Sequence, residues 1–302
     1  MDKTSGIWRM VTAMGISGTI GVVVLLSGQS PLTVVFFRCL IGGAALLGWL
    51  SLAGGWKRPD RRALLWIAAG AFAIIANWLC LFHAFSLSGM SVATVVYHVQ
   101  PFILILLAGL AQRELPAWQT LPWLVLAFAG VALTTGLDMV SGAPGLLQGV
   151  LFALAAAFLY ALATLATRQL PDYAPAQIAG LQLLIGVAVL APLVDFVPRQ
   201  IGAGGWACLA IVGLVHTGVV YNLMYGAFQR LPADALATLS FIYPAVAVLA
   251  DLMVFDTRLT PLQWLGMGMI VASLASQRVS RAGPKGSAGA PAEGVAAVGT
   301  KA

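Results

Sequence analysis

Apolar runs of about 20 residues follow one another along most of this chain, and a helix needs a run of about that length to cross a bilayer. Lipid offers the backbone no hydrogen-bond partner, so a spanning segment folds as a helix that satisfies its own backbone. The sequence therefore predicts an all-α polytopic membrane protein with ten transmembrane helices. The predicted spans cover residues 7–27, 31–52, 63–86, 90–111, 118–137, 145–167, 174–195, 204–228, 234–254 and 260–277.

The composition excludes a soluble fold. Of the 302 residues, 60% are apolar and only 9% are charged, whereas a soluble domain carries roughly 25% charge. So few charges cannot cover the surface of a soluble protein of this size. The three cysteines (Cys39, Cys80 and Cys208) lie singly in apolar runs, a pattern that fits neither a disulfide framework nor a paired metal motif.

The basic residues predict the orientation of the chain. With a cytoplasmic N-terminus, 13 of the 16 Lys and Arg residues fall in cytoplasmic segments, which is the positive-inside pattern of membrane proteins. The outer loops then hold only Arg199 and Arg258. Both termini are predicted to be cytoplasmic, and the charge excess favours anionic lipid of the inner leaflet. The one basic cluster, WKRPDRR at 56–62, is a short loop, so no nucleic-acid partner is predicted.

Two of the predicted spans carry a proline near the middle, Pro101 in the fourth and Pro244 in the ninth. A proline inside a helix removes a hydrogen bond and clashes with the preceding turn. In a bilayer such a break persists only where neighbouring helices or a wet cavity accept the freed carbonyl. Polar residues precede both prolines, so the sequence predicts a binding site between two halves of the chain.

The two halves also repeat. Pro101 and Pro244 are 143 residues apart, as are Trp78 and Tyr221. Ten spans divide into five and five, and an odd number inverts the second half relative to the first, as in many secondary transporters. The alternative is a chance alignment of apolar helices. The predicted units are a first repeat at 1–138, an inverted repeat at 139–280 and a disordered cytoplasmic tail at 281–302.

Three segments carry a family resemblance: FFRCLIGGAALL at 36–47, AFSLSGMSVATVVYHVQP at 84–101 and AFQRLPADALATLSFIYPAVAVLAD at 227–251. Residues 7–278 resemble the drug/metabolite transporter superfamily. Within it the chain is similar to the EamA branch, and most closely to the aromatic amino acid exporters of the bacterial inner membrane.

The resemblance implies a basket-like bundle, with spans 1–4 and 6–9 around a central cavity and spans 5 and 10 packed outside. It also implies a location in the bacterial cytoplasmic membrane. The chain departs from many relatives in its first span, which reads MGISGTIG at 14–21 where they carry a tryptophan–glycine pair. Tyr160 supplies an aromatic ring at the repeat-equivalent of Ser17.

Aromatic and amide side chains in the middle of the spans are the predicted substrate-binding residues. Ligand sites are mostly apolar and aromatic with a few polar groups that fix orientation, and ring faces attract both aromatic side chains and ammonium groups. Tyr and Trp also mark membrane interfaces, but Trp78, Tyr97 and Tyr221 lie too deep for that role. The candidates are Asn77, Trp78, Tyr97, His98, Gln100, Tyr160, Tyr221, Asn222, Tyr225, Ser240 and Tyr243.

Arg38 is a charge inside the second span, where burial costs about 2.5–3.5 kcal/mol on insertion scales. One reading is a counter-charge for a substrate carboxylate, to which guanidinium offers a bidentate fork. The other is a structural pairing with Asp195, Asp251 or a helix-end carbonyl. The sequence leaves both readings open and leans to the structural one.

His98 lies beside the first break, and its ordinary pKa of about 6.5 suits a proton-coupled step. A packing role with a hydrogen-bonded imidazole is the alternative. His83 and His216 are far apart in sequence and have no further ligands at metal-site spacing. No metal and no cofactor are predicted.

The predicted function is export of amino acids with aromatic or large apolar side chains, and of similar small metabolites, by alternating access. A proton-coupled exporter of cationic drugs or nucleotide-like metabolites is less favoured, because no glutamate lies in mid-span; Glu114 is in a loop. An intramembrane serine protease is a third reading, since Gly15–Gly18 resembles the rhomboid serine motif, but a protease leaves the repeat unexplained. The chain is therefore predicted not to be an enzyme, and to act as a monomer or weak homodimer.

Overall fold

The computed structural model describes residues 3–88, 90–113, 121–134, 145–194, 201–255 and 260–276, and every regular element within these ranges is helical. The α-helices are α1 (Lys3–Gly18), α2 (Ile20–Ser27), α3 (Pro31–Ala53), α4 (Arg61–Ser88), α5 (Met90–Tyr97), α6 (Gln100–Gln112), α7 (Leu121–Thr134), α8 (Leu146–Arg168), α9 (Pro175–Leu190), α10 (Ala203–Gly213), α11 (Val220–Phe228), α12 (Ala233–Leu239), α13 (Ile242–Phe255) and α14 (Pro261–Ser276). A short 3₁₀ turn (Ala191–Leu193) follows α9, and a π-helical turn (Leu214–Val219) joins α10 to α11.

Six helical segments in the described part of the chain are long and apolar enough to cross a membrane. They are Lys3–Ser27, Pro31–Ala53, Arg61–Ser88, Leu146–Arg168, Pro175–Leu193 and Ala203–Phe228. The other four predicted spans coincide with shorter helices: α5 with α6, α7, α12 with α13, and α14. The chain is thus an all-helical membrane protein, and the count of ten spans stays a prediction. The predicted tail at 281–302 lies outside the described residues.

Local chemistry explains where the long helices begin and end. Ser30 caps α3, since its hydroxyl accepts the Thr33 backbone N–H at 3.3 Å, and Pro31 occupies the first turn, where no N–H is needed. The helix ends at Gly54, whose φ of 70° is left-handed and therefore favours glycine. Asp60 begins α4 in the same way, with its carboxylate accepting the Ala63 N–H at 2.6 Å.

The fourth and ninth predicted spans are interrupted just ahead of their prolines. The chain turns at 98–99 between α5 and α6, and at 240–241 between α12 and α13. Pro101 and Pro244 consequently sit in the first turn of the helix that follows, where a missing N–H costs nothing. Both prolines are buried, so neither interruption faces lipid.

Two further irregularities carry no proline. The first span turns at Thr19, where the threonine hydroxyl donates to the Ile16 carbonyl at 2.8 Å. The second is the π-helical turn, in which the Thr217 hydroxyl donates to the Val212 carbonyl, five residues earlier, at 2.8 Å. Neither of these irregularities was predicted from the sequence.

The helices pack in matched pairs. α4 lies along α8, and α10 and α11 lie along α2 and α1; α3 packs on α9, α6 on α12, and α7 on α14. Exchanging residues 1–138 for 139–280 turns the α4–α8 contact into that of α10 and α11 with α2 and α1, and it returns the α3–α9 and α7–α14 contacts to themselves. A two-fold relation between the halves requires such a pattern, and the inverted repeat itself stays a prediction.

The main apolar core joins α1, α3, α4, α8, α9 and α11. A separate cluster holds α7 and α14 against α12 and α13, around Leu124, Phe241 and Ile270. The helices of the first cluster therefore carry the interior of the bundle, where the candidate site lies.

Helix α3 offers a test of this packing. A Cβ at Gly42 would lie 2.6 Å from Thr217 Cγ2 and 2.9 Å from the Gly213 carbonyl oxygen, whereas a Cβ at Gly48 would meet nothing within 4 Å. Gly42→Ala should therefore cost about 1–3 kcal/mol of folding free energy through overpacking, and Gly48→Ala should not. Thermal unfolding in detergent measures both, and equal midpoints for the two variants would contradict the close approach of α3 to the π-helical turn.

Candidate functional site

Five aromatic side chains from four helices form one cluster in the bundle interior. Trp78 of α4 meets Tyr221 of α11 edge-on, with ring centroids 6.0 Å apart, and Tyr221 lies 5.4 Å from Tyr225. Tyr97 of α5 meets Tyr160 of α8 at 6.2 Å. The Tyr160 hydroxyl lies close enough to Tyr221 and Tyr225 to interact with them electrostatically. We call this set the aromatic cluster. It brings together five of the predicted substrate-binding residues.

Arg38 is buried beside the aromatic cluster, with 8% of its surface exposed. Its Nε donates a hydrogen bond to the Thr217 hydroxyl at 3.2 Å, and its Cζ lies 4.6 Å from the centroid of the Trp78 ring. A desolvated cation–π contact of this kind contributes about 2 kcal/mol. Both partners are neutral.

The acidic partners considered for Arg38 lie outside the described residues: Asp195 entirely, and Asp251 by its side chain. Among the described residues, no carboxylate forms an ion pair with Arg38. The described structure therefore holds a buried cation whose charge has no anion opposite it, a state that costs several kcal/mol unless a ligand or further hydrogen bonds offset it.

The partner of Arg38 comes from the π-helical turn. The extra residue in that turn swings Thr217 toward α3, and the absence of a side chain at Gly42 leaves room for it. π-Helical turns inside α-helices are frequent at functional sites. This local geometry sets the position of the guanidinium.

Two buried amides have one polar atom each without a partner among the described residues, Asn77 Oδ1 and Gln182 Nε2. The Asn77 amide nitrogen donates to the Ala156 carbonyl at 2.7 Å and to the Tyr97 hydroxyl at 3.3 Å. The Gln182 carbonyl oxygen accepts from the Tyr225 hydroxyl. A buried unpaired polar atom costs about 1–3 kcal/mol, and one hydrogen-bond acceptor and one donor beside the aromatic cluster are buried without a partner among the described residues.

His98 joins the two helix interruptions. Its ring stacks on Tyr243 with centroids 6.1 Å apart and an interplanar angle of 29°, and Phe241 lies at the same distance. Its Nδ1 lies 2.7 Å from the Thr94 carbonyl oxygen; since a carbonyl only accepts, Nδ1 carries the proton. His98 thus has a packing role at the junction of α5 and α13, and the predicted proton relay stays a prediction.

The remaining candidates make no hydrogen bond or ring contact with the aromatic cluster in the described part of the chain. Gln100 is buried in the first turn of α6, and Asn222 is half-buried next to Tyr221 on α11. The Ser240 hydroxyl donates to the Ala237 carbonyl of its own chain segment at 2.6 Å, which satisfies the turn between α12 and α13. Gln182 is not among the residues predicted from the sequence, because nothing in the pattern distinguishes it from Gln177 in the same helix.

The serine considered as a protease nucleophile has no imidazole partner among the described residues. Ser17 is half-buried in α1. The nearby imidazole, His216 of the π-helical turn, pairs through Nε2 with the Thr19 hydroxyl at 2.9 Å. Nucleophilic catalysis needs the hydroxyl and its base within hydrogen-bond reach, so the arrangement at Ser17 does not supply one.

A cleft of about 280 Å³ opens between the start of α3 and the end of α4. Phe82 on its wall lies one helical turn beyond Trp78, and His83 packs edge-on against Phe152 of α8, with centroids 4.6 Å apart. The cleft is lined by Ser30, Pro31, Leu32, Leu79, Phe82, His83 and Ser86. None of these lining residues belongs to the aromatic cluster, and the predicted central cavity stays a prediction.

Comparison with known proteins identifies related chains. The sequence model of the EamA-like transporter family matches residues 4–136 and 147–276. Two Bacillus subtilis (strain 168) proteins are similar over most of their length. "Uncharacterized transporter YxxF" is 30% identical over 97% of this chain and 94% of that protein. "Uncharacterized transporter YwfM" is 29% identical over 85% of this chain and 88% of that protein. A protein of known crystal structure superposes with a TM-score of 0.81 at 18% identity, over 91% of this chain and 98% of its own, which shows a shared fold alone.

The contact between Arg38 and Thr217 generates a prediction. Thr217→Val keeps the shape of the side chain but leaves Arg38 Nε without its acceptor, and hydrogen bonds to charged groups contribute about 1.5–3 kcal/mol. Thr164→Val is the matched control, because the Thr164 hydroxyl bonds only to the Tyr160 carbonyl of its own helix at 2.9 Å. In thermal unfolding, Thr217→Val should lower the midpoint more than Thr164→Val. The reverse order would argue against this account of how Arg38 is held.

Proposed function

The chain belongs to the EamA-like transporter family, and from that premise we propose that it exports amino acids with aromatic or large apolar side chains, and similar small metabolites, across the bacterial cytoplasmic membrane. Transport proceeds by alternating access, with both termini in the cytoplasm and the protein acting as a monomer or weak homodimer.

One observation carries the choice of substrate: a buried Arg38 with neutral partners lies against the aromatic cluster. Guanidinium binds a carboxylate through two parallel hydrogen bonds, so an amino acid supplies the missing anion. We expect the buried, unpaired Asn77 Oδ1 to accept a hydrogen bond from the amino acid's ammonium group when the site opens, with the tyrosine faces as cation–π partners. Its side chain then packs among the rings, which favours aromatic and large apolar amino acids.

The two ends of the bundle differ in a way that supports a transport path. Under the positive-inside topology the cleft between α3 and α4 lies on the outer side, and Phe82 on its wall is one helical turn from Trp78. Toward the cytoplasmic ends of α1 and α11, Met10, Tyr225 and Phe228 are buried in the core. We infer that the site is closed toward the cytoplasm and lies about one helical turn from the outer cleft, as expected of an exporter near its release state.

We expect the helix interruptions beside the site to allow the helix segments on either side of them to move. α5 and α6 are separate helices, as are α12 and α13, and His98 and Tyr243 stack where the two turns meet. Discontinuous helices at the repeat interface form the substrate sites of several transporter folds. We expect α5 and α12 to tilt against α6 and α13 when the site changes the side to which it opens.

The competing function, proton-coupled export of cationic drugs or nucleotide-like metabolites, has less support. A cationic drug would meet the like charge of Arg38. A proton relay at His98 would have to release the Nδ1 proton from the Thr94 carbonyl.

Transport by purified protein in proteoliposomes tests the proposal. Trp78→Ala removes the ring under Arg38, and a loss of about 2 kcal/mol corresponds to a roughly 30-fold lower uptake efficiency. Trp49→Ala is the control, because Trp49 lies on α3 with 64% of its surface exposed. Arg38→Lys keeps the charge but not the fork and should also reduce uptake of labelled phenylalanine at least tenfold.

Competition by unlabelled amino acids, cationic drugs and nucleotides, with and without a pH gradient, separates the two functions. We expect phenylalanine, tyrosine and leucine to compete. Competition by cationic drugs alone, or unchanged uptake in both site variants, would rule out this assignment.

A further inference from the structure

Two arginines that are far apart in sequence, Arg9 and Arg230, converge on one glycine at the predicted cytoplasmic side. A Cβ built at Gly226 of α11 would lie 2.9 Å from Arg9 Nη1 and 3.4 Å from Arg230 Nη1. The two nitrogens are therefore separated by no more than the sum of these distances, about 6.3 Å. The guanidinium of Arg9 belongs to α1 and that of Arg230 to the turn after α11, so the pair bridges the two halves.

The polar partners of this pair are neutral. Arg9 Nε donates to the Ser5 hydroxyl at 3.4 Å, and Arg230 Nη1 donates to the Gly226 carbonyl at 2.7 Å. Within the described ranges, neither arginine forms an ion pair with a carboxylate. Asp234, the next acidic residue along the chain, acts electrostatically on Arg168. Two like charges this close repel each other, and an anion between them reverses the sign of the interaction.

The level of the pair in the membrane indicates which anion. Trp8 precedes Arg9 on α1 and has 67% of its surface exposed. Exposed tryptophans near the ends of spanning helices lie at the headgroup level of the bilayer. Basic pockets between transmembrane helices on the cytoplasmic side bind the headgroups of anionic lipids.

We propose that Arg9 and Arg230 together bind the phosphate of an anionic phospholipid of the inner leaflet. Charge-assisted N–H···O bonds are about 2.8 Å long, so a phosphate placed between two nitrogens at this separation reaches both guanidiniums. The two half-buried side chains leave the headgroup accessible from the leaflet, and the bound lipid ties the start of α1 to the end of α11.

Thermal unfolding in neutral detergent tests the site, with phosphatidylglycerol, phosphatidylcholine or sodium phosphate added separately. A ligand that binds only the folded state raises the unfolding midpoint. We expect phosphatidylglycerol to raise the midpoint of the unchanged protein and of Arg62→Gln, whose exposed arginine at the start of α4 is the matched control. Arg9→Gln and Arg230→Gln should each lose most of that rise.

The proposal would be overturned if phosphatidylglycerol raised the midpoints of Arg9→Gln and Arg230→Gln as much as that of the unchanged protein. It would also be overturned if phosphatidylcholine raised the midpoint of the unchanged protein as much as phosphatidylglycerol does. A rise with sodium phosphate equal to that with phosphatidylglycerol would overturn the proposal too, because it would assign the site to free anions. If the glutamine variants do not fold, Arg9→Lys and Arg230→Lys replace them in a measurement of lipid retention. Native mass spectrometry should then show at least tenfold less retained phosphatidylglycerol in both lysine variants than in Arg62→Lys, and equal retention would contradict the site.

Discussion

Lipid cannot hydrogen-bond a broken backbone, and this constraint organises the interior of the bundle. Four helices or helix pairs are irregular, and their irregular parts contact one another. The turn at Thr19 pairs with the π-helical turn through His216, and the turn after α5 stacks on the start of α13 through His98 and Tyr243. Gly18 connects the two pairs, because a Cβ there would lie 2.9 Å from the Tyr243 carbonyl oxygen. A hydrogen bond joins the first pair and a ring contact joins the second, so the irregular segments pack against one another inside the bundle.

Sequence patterns were sufficient to predict part of this arrangement. Proline chemistry placed the α5–α6 and α12–α13 interruptions within a few residues, since the ring forbids a regular preceding turn. Trp78 and Tyr221, which are related in sequence by the 143-residue shift, are also in contact. Equivalent residues of two repeats contact each other when they lie near a two-fold axis. The all-helical membrane fold followed from the length and apolarity of the runs.

Other features depend on tertiary contacts and have no local signature. The π-helical turn contains one residue more per turn without a proline to mark it. The partner of Arg38 lies 179 residues away in sequence, so no spacing rule leads from Arg38 to Thr217. In the sequence Gln182 cannot be distinguished from any other amide in an apolar helix. Its position becomes distinctive only in the structure, where its carbonyl oxygen accepts a hydrogen bond from the Tyr225 hydroxyl. Family membership adds the class of function, and the proposed substrate rests on these residues of the chain itself.

The central claim is that Arg38 binds the carboxylate of an amino acid whose side chain packs among the aromatic rings. A ligand-by-variant binding cycle measures that contact directly: isothermal titration calorimetry of phenylalanine and of phenethylamine, which lacks the carboxylate, against the unchanged protein and Arg38→Gln. We expect the unchanged protein to bind phenylalanine at least tenfold more tightly than phenethylamine, and Arg38→Gln to bind the two with similar weak affinity. Equal affinities of the unchanged protein for both ligands, or a preference that survives in Arg38→Gln, would contradict the claim.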